Sequence, residues 1–477
     1  MTSLTPERVF YYFKQISDIP RGSGNCNGMA RFCKNFAVNH NLKYVRDDAD
    51  NVVIFKNGTA GFENSEPVIL QGHTDMVCQK TENATTDFIN RGIELFIDGD
   101  FLKAKGTTLG ADNGIAVAMI LAILESDNIP HPPIEAVFTS DEEIGLIGAG
   151  KLDKSILSAK KMINLDSEED DTVTVSCAGG CHFLAKTPLN CEEKNGTKIT
   201  VTLKGLKGGH SGVEINNNRV NADTLAGRFL NHIKQCCKFD IINIYGGDKD
   251  NAIPNKCTIE LCVDDVDLFI KDAEEYLNVI KAEISDRESG FDFTFDKGER
   301  ASYKVLNDEI KNKLIFALTC VPNGVLEMST EIAGLVQTSL NLGVLKIEND
   351  VLSLHFGLRS NKKSGLLFLI EKLQAFFNSV NWETATNGHY PPWEYKENSQ
   401  LREIYKEVYT DYFGKEPKVE AIHAGLECSV FADAIEGIDC ISIGPALYDV
   451  HTVNEKLSLS STENVFNILL KILEKLK

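Results

Sequence analysis

Read as a pattern of apolar and polar positions, the chain changes style twice. Over residues 1 to about 187, short apolar runs alternate with helical stretches. VVIF at 52–55, PVILQG at 67–72, IEAVFTS at 134–140 and KMINLD at 161–166 have the length and composition of strands buried on both faces. Between them, residues 112–124 (DNGIAVAMILAIL) are apolar nearly all round, which predicts a deeply buried helix. Buried strands alternating with helices imply an α/β sheet covered on both sides, mostly parallel at its centre. The C-terminal stretch resumes this style. An amphipathic helix is predicted over 399–412, a strand over 419–425, a helix over 427–435, a strand over 438–445 and a last helix from about Thr462. At the N-terminus, Thr5-Pro6-Glu7 reads as a helix start, with Thr5 as N-cap and Pro6 at the first helical position.

The middle of the chain is different. From Lys198 the pattern reads strand (ITVTLKG), helix (about 219–236), two strands (IINIYGG, KCTIELCV), helix (about 266–286), strand (FDFTFD). From Asn307 a similar order follows: helix, strand (TSLNLGVLKI), a turn at Asn349 and Asp350, strand (VLSLHFGLRS), helix (364–378), strand (WETATN). Two copies of a small ferredoxin-like α+β sandwich fit this order. The expected organisation is a discontinuous α/β domain, 1–187 and 387–477, interrupted by an inserted α+β lid domain, 188–386.

Length and charge narrow the class. A chain of 477 residues exceeds one ordinary compact domain. Its net charge of −20 argues against nucleic-acid backbones and anionic membranes as partners. No basic stretch followed by an apolar run opens the chain, and no apolar run reaches the length of a membrane span. The 13 cysteines are scattered from Cys26 to Cys440 without a C-x-x-C pair, which predicts reduced thiols in a cytosol.

The candidate chemistry sits where strands end, the edge at which open α/β sheets bind ligands. His73 and Asp75 follow PVILQG. Asp112 opens the buried helix. Asp141, Glu142 and Glu143 follow IEAVFTS, Asp166 follows KMIN, and His451 lies downstream of GPALYDV. Imidazoles and carboxylates without thiols form a nitrogen and oxygen donor set suited to zinc. A two-metal site needs one carboxylate to bridge, and a free carboxylate beside it can take a proton from water. Glu142 and Glu143, being adjacent, point differently, so one can bind metal while the other faces that water. Asp75, two residues past His73, can lie on the same face and hold the imidazole N–H. Each residue has an ordinary alternative. The acids at 142–143 suit a helix N-terminus, Asp112 suits a helix cap, and His73, His210 and His451 suit hydrogen-bonded loops.

The motifs GHTDMV, LGADNGIAVA, TSDEEIG, INLDSEE, GGHSG, NAIPN and GPALYDVHTVNE, in this order, resemble the two-zinc exopeptidases. The closest resemblance is to the aminoacyl-histidine dipeptidases, the cytosolic non-specific or carnosinase-like group, in which HAGLECSVF at 423–431 is the most particular element. The resemblance implies His73 and Asp166 on one zinc, Glu143 and His451 on the other, and Asp112 as bridge. It implies Glu142 as general base, Asp75 as partner of His73, and a cis peptide at Asp112-Asn113. It further implies two Zn²⁺ per subunit (Mn²⁺ or Co²⁺ as substitutes) and attack of a zinc-bridged hydroxide on the peptide carbonyl. In the lid, His210 resembles the histidine that polarises that carbonyl. Asn251 and Arg359 resemble residues that hold substrate, and the planar fork of Arg359 matches a C-terminal carboxylate. From their charge, Glu427 and His423 are expected at the substrate's amino end. The expected activity is hydrolysis of unblocked dipeptides, β-alanyl-histidine and other Xaa-His among them. The alternatives are removal of an acyl group from N-acyl amino acids and a non-catalytic role in partner binding. A homodimer through the lid is one expected assembly; the other has the second sandwich copy standing in for a partner subunit.

Overall fold

The computed structural model describes residues 4–477. The chain forms two compact units. The first comprises the described residues up to Cys177 together with Trp393–Ala421 and Gly425–Lys477; the second comprises Ala178–Pro392 and Ile422–Ala424. Among the described residues no helix is long and apolar enough to cross a membrane.

The first unit is built on an eight-stranded sheet in the order Lys43–Arg46, Val52–Lys56, Ile134–Thr139, Val68–His73, Lys161–Asn164, Asp439–Ser442, Thr172–Cys177, Lys418–Ile422. Its four central strands, Ile134–Thr139 through Asp439–Ser442, are parallel, so their carboxyl ends share one edge. The flanking pairs are antiparallel. Every residue of Val68–His73 and of Ile134–Thr139 is buried, as expected of strands covered on both faces. The covering helix Ala111–Glu125 is buried from Asn113 through Leu124, and its regular turns begin only after Asp112 and Asn113, both outside helical φ and ψ. The helix Glu7–Ser17 packs against it. Pro6, extended at φ −76 and ψ 127, is the N-cap of Glu7–Ser17. The expected cap at Thr5 is therefore one residue too early. A small four-stranded sheet pairs Phe101–Ala104 with Lys456–Ser458, and the loop between Leu447–Tyr448 and Lys456–Ser458 holds His451.

The second unit carries one long sheet, ordered Asp292–Leu306, Cys191–Lys204, Cys257–Val263, Phe239–Gly246, Val336–Glu348, Val351–Ser360, Gly179–Pro188, Glu383–Tyr390. Each half has the ferredoxin-like order, and the halves join at Gly246 and Leu345. The first copy is inserted inside the second, because Gly179–Pro188 is the second copy's first strand. It pairs along its length with Val351–Ser360 and with Glu383–Tyr390. This strand explains why the sequence pattern from Asn307 lacked an opening strand. It also moves the division from the expected 187/188 to 177/178. At the far end Glu383–Tyr390 is longer than WETATN suggested, and the division falls at 392/393 and not at 386/387. The turn at Asn349 and Asp350 has both residues at positive φ, the geometry of a tight hairpin. Both halves share one apolar core, with Phe183, Phe356 and Phe377 in mutual contact.

Candidate active site

The site of the first unit is assembled by the strand order. His73 is the last residue of its strand, Glu142 and Glu143 lie just past Thr139, and Asp166 lies just past Asn164. Because these strands are parallel neighbours, their ends deliver an imidazole and three acids to one rim. Helix Ala111–Glu125 brings Asp112 to the same rim. Gly72 permits its close approach, since a Cβ there would lie 2.5 Å from Asn113 Oδ1 and 2.8 Å from Ala116 Cβ. Asn113 locks the arrangement: its Oδ1 accepts from the His73 N–H (3.2 Å) and its Nδ2 donates to the Leu165 carbonyl (2.8 Å). The Asp112–Asn113 peptide is cis.

The two oxygens of Asp112 face different imidazoles. Oδ1 lies 3.0 Å from His73 Nε2, and Oδ2 lies 3.1 Å from His451 Nε2. His73 Nε2 also faces Asp166 Oδ1 at 3.5 Å, and His451 Nε2 faces Glu143 Oε2 at 3.0 Å. One donor atom each from His73, Asp112 and Glu143 falls within 4.8 Å of the others. On the far side of the His73 ring, Asp75 Oδ1 faces Nδ1 at 3.5 Å. Asp75 also accepts from the Glu142 N–H (3.0 Å), the Glu143 N–H (3.3 Å) and the Ser23 hydroxyl (2.8 Å), so it ties the His73 turn to the acidic loop.

The electrostatics fit a cation at the centre. Burial alone would lower the His73 imidazole, but Asp166, Asp112 and Asp75 outweigh it and hold it well above its ordinary range. Asp112 and Glu143 push His451 up to about 11. Burial alone would raise Asp112, yet His451 and His73 hold it far below the usual carboxylate range. Burial pushes Asp166 up to about 6 and lifts Glu142 well above an ordinary glutamate, His73 opposing both. The carboxylates thus draw positive charge onto both imidazoles. A divalent ion with nitrogen and oxygen ligands meets the same demand without the protons.

Two residues expected at the substrate's amino end are buried side chains with partners inside the fold. Glu427 is fully buried; its Oε2 accepts from Gln71 Nε2 and from the Thr139 hydroxyl (2.6 Å), while Oε1 has no partner. Burial pushes it up to about 7. It lies close enough to His73, Asp166 and Asp75 for their charges to act on it. His423, in the second unit, is also buried. Its Nε2 meets Ser339 Oγ at 2.7 Å and its Nδ1 meets Asn361 Oδ1 at 3.0 Å, and burial lowers it to about 3.

The remaining expected residues of the second unit lie on its long sheet and on or beside a short two-stranded pairing of Gly209–His210 with Ala252–Ile253. Arg359, on Val351–Ser360, donates to the Tyr390 hydroxyl (3.0 Å). His210 pairs with Ala252, next to the exposed Asn251. The N–H groups of Gly212 and Val213 both point at His210 Nδ1 at 3.2 Å. With Nδ1 accepting, the ring proton belongs on Nε2. Burial and the charge of Arg359 lower the imidazole, so His210 is a neutral Nε2–H donor near neutrality.

Sequence reasoning passed over Arg21 and Glu455, which hold loops of the first unit. Arg21 stands in the PRGSGN run, and Glu455 closes GPALYDVHTVNE; a charge inside an otherwise glycine-rich or apolar stretch was the available signal.

A covered α/β sheet with imidazoles and carboxylates gathered at its strand ends, interrupted by an α+β unit, is the construction of a metallopeptidase, a hydrolase of peptide bonds. Residues 69–475 match the peptidase family M20/M25/M40, and the chain belongs to that family. It is 35% identical to the cytosol non-specific dipeptidase of Escherichia coli, over 100% of this chain and 99% of that one. Its fold matches the crystal structure of an aminoacylhistidine dipeptidase from Vibrio alginolyticus with a TM-score of 0.90 and 34% identity, covering 99% of this chain and 97% of that one. An aminopeptidase PepT from Bacillus cereus shares the fold at a TM-score of 0.56 and 15% identity, over 99% of both chains.

Proposed function

We propose that the chain is a cytosolic dipeptidase that uses two zinc ions to hydrolyse unblocked dipeptides. The observation that carries this reading is Asp112, whose two oxygens face His73 and His451 separately, as a bridging carboxylate must. His73 and Asp166 would hold one ion, Glu143 and His451 the other. Bound there, the ions would polarise the scissile carbonyl and acidify a water molecule.

The chain's own groups do the rest. Glu142, which burial lifts well above an ordinary glutamate, takes the water's proton and returns it to the leaving amine. Asp75 holds the His73 ring and, through the Glu142 amide, the base itself. In the second unit, His210 offers an Nε2–H to the oxygen that becomes negative, a role for which a neutral donor with a fixed tautomer is suited. Arg359 is assigned to the substrate carboxylate and Asn251 to its backbone. The relatives named as dipeptidases support the substrate class.

The test is hydrolysis of a panel of free dipeptides, carnosine included, by zinc-loaded protein, beside the N-acetylated forms. Cleavage of the free forms alone is the expected result. Cleavage of the blocked forms alone would establish the acyl-amino-acid hydrolase instead.

A further inference from the structure

Two buried charges outside the metal-facing set grip the segment that carries Asp112. Arg21 is 2% exposed. Its Nη1 donates to the carbonyls of Thr74 (3.2 Å) and Asp75 (3.1 Å), and its Nη2 donates to the carbonyl of Gly110. The Met76 N–H returns a bond to the Arg21 carbonyl (3.1 Å). One side chain therefore joins the turn after His73 to the turn before Asp112.

Glu455 grips the same segment from the other side. It is 3% exposed, and its carboxylate accepts from four successive N–H groups: Leu109 (2.8 Å), Gly110 (3.0 Å), Ala111 (2.9 Å) and Asp112 (3.4 Å). These amides open the helix Ala111–Glu125, where a negative charge is favoured. Glu455 also bonds through its own N–H to the Thr452 carbonyl (3.2 Å), within the loop that holds His451. Gly110 sits at φ +64, and a Cβ there would strike Arg21 Nη2 and the Met76 sulfur. The segment thus has no room to drift toward Arg21.

We propose that Arg21 and Glu455 are a two-sided clamp of positioning residues that sets Asp112 midway between His73 and His451, and so sets the spacing of the two metal ions. This rests on the two-metal reading of the site. The fork of Arg21 is needed because three carbonyls on two turns must be met at once, which a lysine ammonium cannot match in geometry. The carboxylate of Glu455 is needed because four donors converge on two oxygens, and an amide nitrogen there would face donors.

The test uses the full-length protein and the variants Glu455→Gln, Arg21→Lys and Arg21→Met. Three quantities are read: Zn²⁺ affinity and stoichiometry against a competing chelator, the visible spectrum of the Co²⁺-loaded protein, and thermal unfolding of the metal-free protein. The expected result is a loss of about 10–100-fold in affinity at one or both sites, with an altered Co²⁺ spectrum, in Glu455→Gln and Arg21→Lys. Should Arg21→Met fail to fold, the near-isosteric Glu455→Gln decides the matter alone. Variants that melt earlier without metal yet keep parental affinity and spectrum would overturn the clamp and leave a purely structural role. A parent protein that binds no divalent metal would overturn the two-metal reading itself, and the clamp with it.

Discussion

Gly72→Ala is the sharpest perturbation of the site that leaves every functional side chain in place. The added Cβ would lie 2.5 Å from Asn113 Oδ1 and 2.8 Å from Ala116 Cβ. Neither neighbour can yield cheaply. Ala116 belongs to the fully buried helix Ala111–Glu125, and Asn113 is held by the His73 N–H and the Leu165 carbonyl. Relief requires the helix to lift and Asn113 to surrender its bonds. Overpacking costs about 1–3 kcal/mol, and a buried amide left without its acceptor costs about 1–3 kcal/mol more. A sum of roughly 2–6 kcal/mol lowers Tm by about 4–24 °C in a domain of this size. Lifting the helix also draws Asp112 from His73, and a displacement near 1 Å can cost on the order of 100-fold in kcat/KM. Thermal unfolding with and without zinc, and kcat/KM on a dipeptide, would be measured beside Gly150→Ala, whose Cβ meets nothing within 4 Å. Gly150→Ala should be neutral or stabilising by up to about 1 kcal/mol. A Gly72→Ala protein matching the parent in both Tm and kcat/KM would refute the claim that the glycine sets the helix-to-strand approach.

Further outcomes follow from other groups. Glu142→Gln keeps the shape of the side chain and removes the proton acceptor, so kcat should fall about 10²–10⁴-fold while metal content stays at the parental level; unchanged kcat would remove Glu142 from the chemistry. Asp223 in the second unit is buried beside the Cys257 thiol, and burial pushes it up to about 8 from an ordinary 3.8, the thiol opposing. The folded state therefore favours the protonated acid. The stability this contributes is complete below pH 3.8 and is lost as pH rises toward 8. Asp223→Asn should accordingly raise Tm at pH 8 and change it little near pH 5; equal shifts at both pH values would contradict the buried neutral acid.

Much of the site was legible because its residues are local to strand ends. His73, Glu142, Glu143 and Asp166 each close a short apolar run, and parallel pairing gathers such ends at one edge. Motif order added His451 and Asp112, and the five expected ligands, with Asp75 and Glu142, converge in the first unit. The burial of Glu427 was not legible in the sequence, for a physical reason. A charge on a polar stretch suggests solvent or substrate, and only the positions of Gln71 and Thr139 reveal that it is taken up inside the fold.

By itself, the sequence determined what local period and turn chemistry can determine: the all-apolar helix after Asp112, the buried strands, the tight turn at Asn349-Asp350 and the donor types available for a metal. Tertiary structure alone decided which distant segments meet. It assigned Gly179–Pro188 to the second unit's sheet, far from the strands it pairs with, and so placed one sandwich copy inside the other. It brought Arg21 and Glu455, more than 400 residues apart in sequence, to opposite sides of the Asp112 turn. Periodicity records which face of an element is apolar; the partner of that face, and the fate of a lone charge, depend on contacts between segments that no local window contains.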